Sequence, residues 1–135
     1  MFTLFNGQHT MDRALAMADR LVEEYDSMEN RIKRAIAEAW GRPAKDAEIA
    51  KSLVYIEKMI GYHIEHPPEK QEYPRVIKRK MFEEMTGEPF EFEERLDGYE
   101  YFVADLKSWD VDEETRALAD LIKVLFNANE FIYVY

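Results

Sequence analysis

Residues Thr10 to Trp40, TMDRALAMADRLVEEYDSMENRIKRAIAEAW, hold the strongest periodic pattern in this sequence of 135 residues. Apolar residues recur there at alternating spacings of four and three: Ala14, Ala18, Leu21, Tyr25, Met28, Ile32, Ala35 and Ala39. This heptad seam contains no Gly or Pro, and Thr10 is a good N-cap. It predicts one helix over 10–40, about 45 Å long at 1.5 Å per residue, which ends at Gly41.

Two further segments have helical periodicity and can cover that seam. A second helix is predicted from about Ala44 or Asp46 to Glu65, and the short connection before it favours an antiparallel hairpin with the first. Another begins at Asp110 or Asp112 and is apolar over most of its circumference. The many alanines allow close approach of a partner helix, so the seam fits either an intramolecular bundle or a homodimeric coiled coil.

A short helix is also predicted from Pro74 to Met85, and its first half is basic through Arg75, Lys78, Arg79 and Lys80. Bases at the start of a helix oppose its macrodipole, which favours acids there. One explanation is a nucleic acid or an acidic partner held by these four cations. The other is that they neutralise the chain's own glutamates.

From Pro89 the periodicity changes to that of a strand. Phe90–Glu93 alternates apolar with acidic residues, and Asp97-Gly98 precedes an aromatic run. These features predict a β-hairpin near 90–104, turning at Asp97-Gly98. Short strands are also predicted at the termini, over Phe2–Phe5 and Phe131–Tyr135.

The C-terminal strand is a candidate for self-association. Its apolar side chains, Phe131, Tyr133 and Tyr135, are unsuited to remaining solvated. Such a strand pairs with another segment of the chain or completes a sheet across a dimer. The fold we predict is mainly α (α+β by strict count): one domain over 1–135, an antiparallel four-helix bundle with a minor β component.

Composition excludes several classes of function. The formal net charge of −10 argues against broad contact with nucleic acid or anionic membrane, although a local basic patch would override it. The chain has no Cys, which excludes disulfides and thiolate sites and suits the cytoplasm. No secretory signal and no apolar run of membrane-spanning length is evident. Many Glu, Lys and Arg with few Asn and Gln resemble the composition of heat-adapted proteins.

A possible metal site lies at the end of the second helix. His63 and His66 are three residues apart, so both imidazoles can face one ion, with Glu69 as an oxygen ligand. The alternative is that His63 is a hydrogen-bonded core residue, and that both histidines interact favourably with the negative, carbonyl end of the helix dipole.

The motifs of common catalytic sites are missing. The five glycines are scattered and form no phosphate-binding loop, and no serine lies in a nucleophile elbow. We therefore favour a noncatalytic interaction or assembly protein without a cofactor, partnered by a second copy or another protein. The alternatives are a divalent-metal enzyme or sensor using His63 and His66, and nucleic-acid binding through the basic segment.

Overall fold

The computed structural model describes residues 7–99 and 101–133. These residues are mainly helical, with 58% helix in five helices, and they include one small two-stranded antiparallel sheet. None of the helices in these two ranges is both long and apolar enough to cross a bilayer. The predictions for Phe2–Phe5 and Tyr135 lie outside the described residues.

The chain divides into two compact units, which we describe separately. The helical unit comprises Met1–Glu69 and Asp105–Tyr135, and the hairpin unit comprises Lys70–Ala104. The prediction of one domain over 1–135 and that of an antiparallel four-helix arrangement both stay predictions.

The helical unit contains all five helices. Their bounds are α1, Gln8–Glu24; α2, Met28–Trp40; α3, Asp46–Glu65; α4, Glu113–Phe126; and α5, Asn129–Ile132. Helix α4 packs against α1, α2 and α3 and buries more residues than any other described helix. One apolar core joins α1 to α4, and its largest fully buried side chains are Leu15, Leu21, Ile32, Ile36, Leu118 and Ile122.

The single helix predicted over 10–40 is wrong, because the backbone leaves helical geometry at Tyr25. Ser27 then caps α2 by accepting a hydrogen bond from the Asn30 amide at 3.3 Å. The buried Arg31 donates to the Tyr25 carbonyl at 2.8 Å. Side-chain bonds of this kind compete with helix continuation, and here they satisfy the backbone groups that the break exposes.

The local signals at the other long helices are confirmed. Helix α3 runs from Asp46 to Glu65 as predicted. Asp112 caps α4 and accepts from the Thr115 amide at 2.8 Å, and this interaction with Thr115 lowers the pKa of Asp112. Glu113 and Glu114 occupy the first turn, where the helix dipole favours acids.

The strand predicted over Phe131–Tyr135 is wrong for its described part, since Asn129–Ile132 is a short helix. The Phe131 ring lies 5.0 Å from the Phe126 ring at the end of α4. This contact with α4 outweighs the β-propensity of the aromatic run.

The hairpin unit is where the sequence prediction differs most from the structure. The helix predicted over Pro74–Met85 is wrong: Val76–Phe82 is a strand, β1, and it pairs antiparallel with β2, Pro89–Arg95. The turn is therefore not Asp97-Gly98, which lies in a 3-10 turn, Asp97–Tyr99. The described residues after that turn form no strand, so the predicted hairpin near 90–104 is also wrong in its pairing.

The hairpin turn spans Glu83 to Glu88. Glu83 donates its amide to the Glu88 carbonyl, and Gly87 donates to the Glu83 carbonyl, both at 2.9 Å. Gly87 has φ 72°, a left-handed conformation that favours glycine. The Glu83 carboxylate accepts from the amides of Thr86 and Met85, which lowers its pKa. Local bonds thus close the turn one residue after β1 ends.

Candidate functional site

The two faces of the hairpin differ in chemistry. Residues directly opposite each other in an antiparallel pair lie on the same face, and each face takes alternate residues of a strand. The register therefore assigns one face to four apolar residues and one charged pair: Ile77, Arg79, Met81, Phe90, Phe92 and Glu94. We call this the apolar face. The other face carries Lys78 opposite Glu93 and Lys80 opposite Glu91, with Val76 opposite Arg95 and Phe82 opposite Pro89 at its ends.

The apolar face is incompletely covered. Met81 is 50% exposed, Phe90 44% and Phe92 37%, while Ile77 is half-buried. The two phenylalanine rings stack with centroids 6.0 Å apart. Arg79 pairs with Glu94 across the strands, so the charges on this face are neutralised within the hairpin. The result is a compact apolar surface with one internally paired charge.

The basic residues that the sequence predicts as a patch come together on β1 and just before it, but three of them pair with or lie opposite glutamates of β2. Lys80 pairs with Glu91 at 3.0 Å, and Arg79 pairs with Glu94. Lys78 lies opposite Glu93. Arg75, just before β1, has its carbonyl bonded to the Leu96 amide at 2.8 Å. The net positive charge of the segment is thus largely compensated by β2, and nucleic-acid binding stays a prediction.

The predicted metal ligands have other partners. His63 Nε2 donates to Asp120 Oδ2 at 2.7 Å, linking α3 to α4. His66 Nδ1 donates to the Tyr62 carbonyl at 3.0 Å, and its ring stacks on that of Tyr62. Glu69 is exposed after the helix ends. Within 7–99 and 101–133 no group of three or more His, Cys, Asp or Glu side chains is arranged to hold a metal. The metal site stays a prediction.

Of the predicted self-association residues, Phe131 and Tyr133 are described and lie in the helical unit. Phe131 is 43% exposed although it touches Phe126, and Tyr133 is 55% exposed.

Sequence reasoning singled out the alternation of Phe90 and Phe92 but assigned these residues the wrong partner strand. It missed Asp120 as the partner of His63, because nothing local links residues 57 positions apart.

Comparisons of this chain with protein-family models, with curated proteins and with solved structures give no match.

Proposed function

We propose that this chain is a noncatalytic assembly protein that self-associates through the apolar face of its hairpin. The observation that carries the proposal is the exposure of Met81, Phe90 and Phe92 on one side of a two-stranded sheet. An isolated hairpin is marginally stable, and a covered hydrophobic face is what normally stabilises it. The described part of the hairpin unit contains no α-helix to provide that cover.

Charge complementarity favours a second copy as the occupant. On the apolar face the charged residues are Arg79 of β1 and Glu94 of β2, because the lysines and the other two glutamates of the strands lie on the opposite face. Two apolar faces can stack about a two-fold axis parallel to the strands. This arrangement lays β1 of each copy over β2 of the other, so that Arg79 lies over the strand that carries Glu94 of the second copy, and the apolar side chains meet in the centre. The interface is then closed and self-complementary.

Pairing through strand edges is less suitable. An edge contact between two β1 strands brings bases together, and one between two β2 strands brings acids together. Pairing β1 of one copy with β2 of the next satisfies the charges, but such a head-to-tail contact does not close and extends into a filament. Face stacking is therefore the arrangement that combines apolar contact, charge balance and a finite assembly.

The size of the face sets the expected affinity. Seven residues at about 3.4 Å each give strands roughly 24 Å long, and two strands are about 10 Å wide. This surface is smaller than the ~800 Å² per partner of a standard interface. We expect a dissociation constant on the order of tens of micromolar, which is the range of a transient contact.

The helical unit serves as the scaffold in this proposal. The core shared by α1 to α4 supports their arrangement as an antiparallel bundle. The cysteine-free composition supports a cytoplasmic location, where thiols are kept reduced. No catalytic role is included, since the motifs for one are missing from the sequence.

Sedimentation equilibrium over a range of concentrations tests the proposal, using Phe92→Ser against Phe82→Ser. Phe82 has the same chemistry and is 69% exposed, but it lies on the opposite face of the hairpin. We expect Phe92→Ser to weaken association at least about ten-fold, because it removes roughly 1.4 kcal/mol or more of apolar contact. Phe82→Ser should leave association unchanged. A strictly monomeric wild type, or equal effects of the two variants, would contradict the proposal.

A second measurement covers the case in which Phe92→Ser unfolds the hairpin. The chain has no native cysteine, so single-cysteine variants can be labelled uniquely. Met81→Cys should cross-link between copies with a short bis-maleimide, and Phe82→Cys should not. Cross-linking of both variants to the same extent, or of neither, would refute stacking through the apolar face.

A further inference from the structure

A second surface, independent of the hairpin, lies between α3 and α4. The two helices form an open groove of about 650 Å³. Its walls include Tyr55 and Met59 from α3, and Asp120, Lys123 and Val124 from α4. Grooves of this size, with apolar walls and a few convergent polar groups, are typical of small-molecule sites.

The two charged groups of this groove are not neutralised by neighbouring side chains. Asp120 accepts the bond from His63 through Oδ2, and its other oxygen, Oδ1, has no hydrogen-bond partner in the described part of the chain. Lys123 forms no ion pair with any residue of 7–99 or 101–133. The bond from His63 fixes the carboxylate at the groove, since both side chains are largely buried, at 14% and 20% exposure. A positioned anion and an available cation thus lie on one face of α4.

The spacing of these charges restricts the ligand. Residues three apart on a helix have Cβ atoms about 5–6 Å from each other, so Asp120 and Lys123 are neighbours. A ligand with one charge meets an opposite charge and a like charge here, and the two contributions largely cancel. A small zwitterion meets two opposite charges. Burial raises the pKa of Tyr55, and the negative charge of Asp120 adds to this rise. The electric field of the Asp120 carboxylate therefore reaches the Tyr55 side of the groove.

We propose that this groove binds the zwitterion of an α-amino acid with a large apolar side chain. The ammonium group lies against Asp120 and the carboxylate against Lys123. The side chain packs on Met59 and on Val124, which is 53% exposed in the structure. Neither the hairpin nor self-association is part of this site.

A ligand titration monitored by ¹H–¹⁵N correlation spectra of the full chain tests the proposal. The probes are L-phenylalanine, 2-phenylethylamine, which lacks the carboxylate, and 3-phenylpropionate, which lacks the ammonium group. We expect saturable shifts at residues lining the groove, and affinity for phenylalanine at least about ten-fold above that for either analogue. Absence of saturable shifts there, or equal affinities for the three probes, would overturn the proposal.

Two variants identify the charged groups, and a third serves as a control. Lys123→Met should lower affinity for phenylalanine about ten-fold while leaving that for phenylethylamine undiminished. Asp120→Asn keeps an oxygen for His63 and should lower affinity for both of these ligands. Lys58→Met changes an exposed lysine of α3 that does not line the groove, and it should have no effect. Identical behaviour of Lys123→Met and Lys58→Met would refute the assigned contacts.

Discussion

Arg31 fixes the break between α1 and α2, and its removal should destabilise the helical unit strongly. The side chain is buried, with 8% exposure. Its Nε donates to the Tyr25 carbonyl at 2.8 Å, and its Nη1 pairs with Glu114 of α4 at 3.3 Å. The guanidinium also lies 3.5 Å from the Val22 carbonyl near the end of α1, where the helix dipole favours a cation. The Arg31 guanidinium therefore contacts three segments: the end of α1, the break at Tyr25 and the start of α4.

The magnitude follows from these contacts for Arg31→Met, which keeps an apolar stem but removes the guanidinium. A hydrogen bond from a charged group contributes about 1.5–3 kcal/mol, and the Tyr25 carbonyl loses such a bond. The Val22 contact is long, and Glu114 is more than half exposed, so these two add at most about 0.5 kcal/mol together. We expect the free energy of unfolding to fall by about 2–3 kcal/mol, which corresponds to roughly 8–12 °C in Tm for a chain of this length.

Urea denaturation followed by circular dichroism at 222 nm measures this change, with Arg34→Met as the matched control. Arg34 is on the same helix and pairs with Glu38 at 2.7 Å, but half of its side chain is exposed. Its loss should cost no more than about 0.5 kcal/mol. If Arg31→Met is no more destabilising than Arg34→Met, Arg31 does not hold the break and our account of it is wrong.

Two further perturbations test other parts of the helical unit. Hydrogen bonds from Arg42, with a further bond from the Lys45 amide, lower the pKa of Glu48 from 4.5 to about 2. The resulting stabilisation is complete above pH 4.5 and is lost as the pH falls toward 2; Glu48→Gln should therefore reduce the decrease in urea midpoint over this window, and an unchanged decrease would contradict the assignment. Gly61 lies within α3, and an added Cβ would meet no atom within 4 Å, so Gly61→Ala should stabilise the protein by about 0.5–1 kcal/mol; a lower Tm would contradict this.

The sequence predicts the parts of the fold that local chemistry determines. The bounds of α3 and the capping of α4 by Asp112 follow from cap residues and apolar periodicity within one segment. The break after α1 cannot be predicted this way, because Tyr25 and Met28 both continue the heptad spacing. The bonds that satisfy the break, from the Asn30 amide to Ser27 and from Arg31 to the Tyr25 carbonyl, are local, but they are not part of the apolar pattern from which the helix is predicted.

The candidate sites depend on pairings that are even less local. His63 is predicted as either a metal ligand or a hydrogen-bonded core residue, and only the packing of α3 on α4 identifies Asp120 as its partner. For β1, helical and extended conformations both satisfy the sequence of the segment alone. The local indication that a different structure forms is the order of charges, which is unfavourable for a helix because its first half would hold Arg75, Lys78, Arg79 and Lys80.

The register of the hairpin shows how charge decides between these conformations. In the observed register Lys78 faces Glu93 and Lys80 faces Glu91, so both lysines lie opposite acids. A slip of two residues in one direction sets Lys78 opposite Arg95, and a slip of two in the other direction sets Lys80 opposite Pro89. In each slipped register one lysine loses the acid that lies opposite it.

A slip of one residue would instead put Phe90 and Phe92 on the same face as the lysines and would separate them from Ile77 and Met81. The observed pairing sets both lysines opposite acids on one face and groups Ile77, Met81, Phe90 and Phe92 on the other. The interactions that fix the hairpin therefore also create the apolar face. In the proposed dimer the same face of a second copy covers it, with β1 of each copy over β2 of the other.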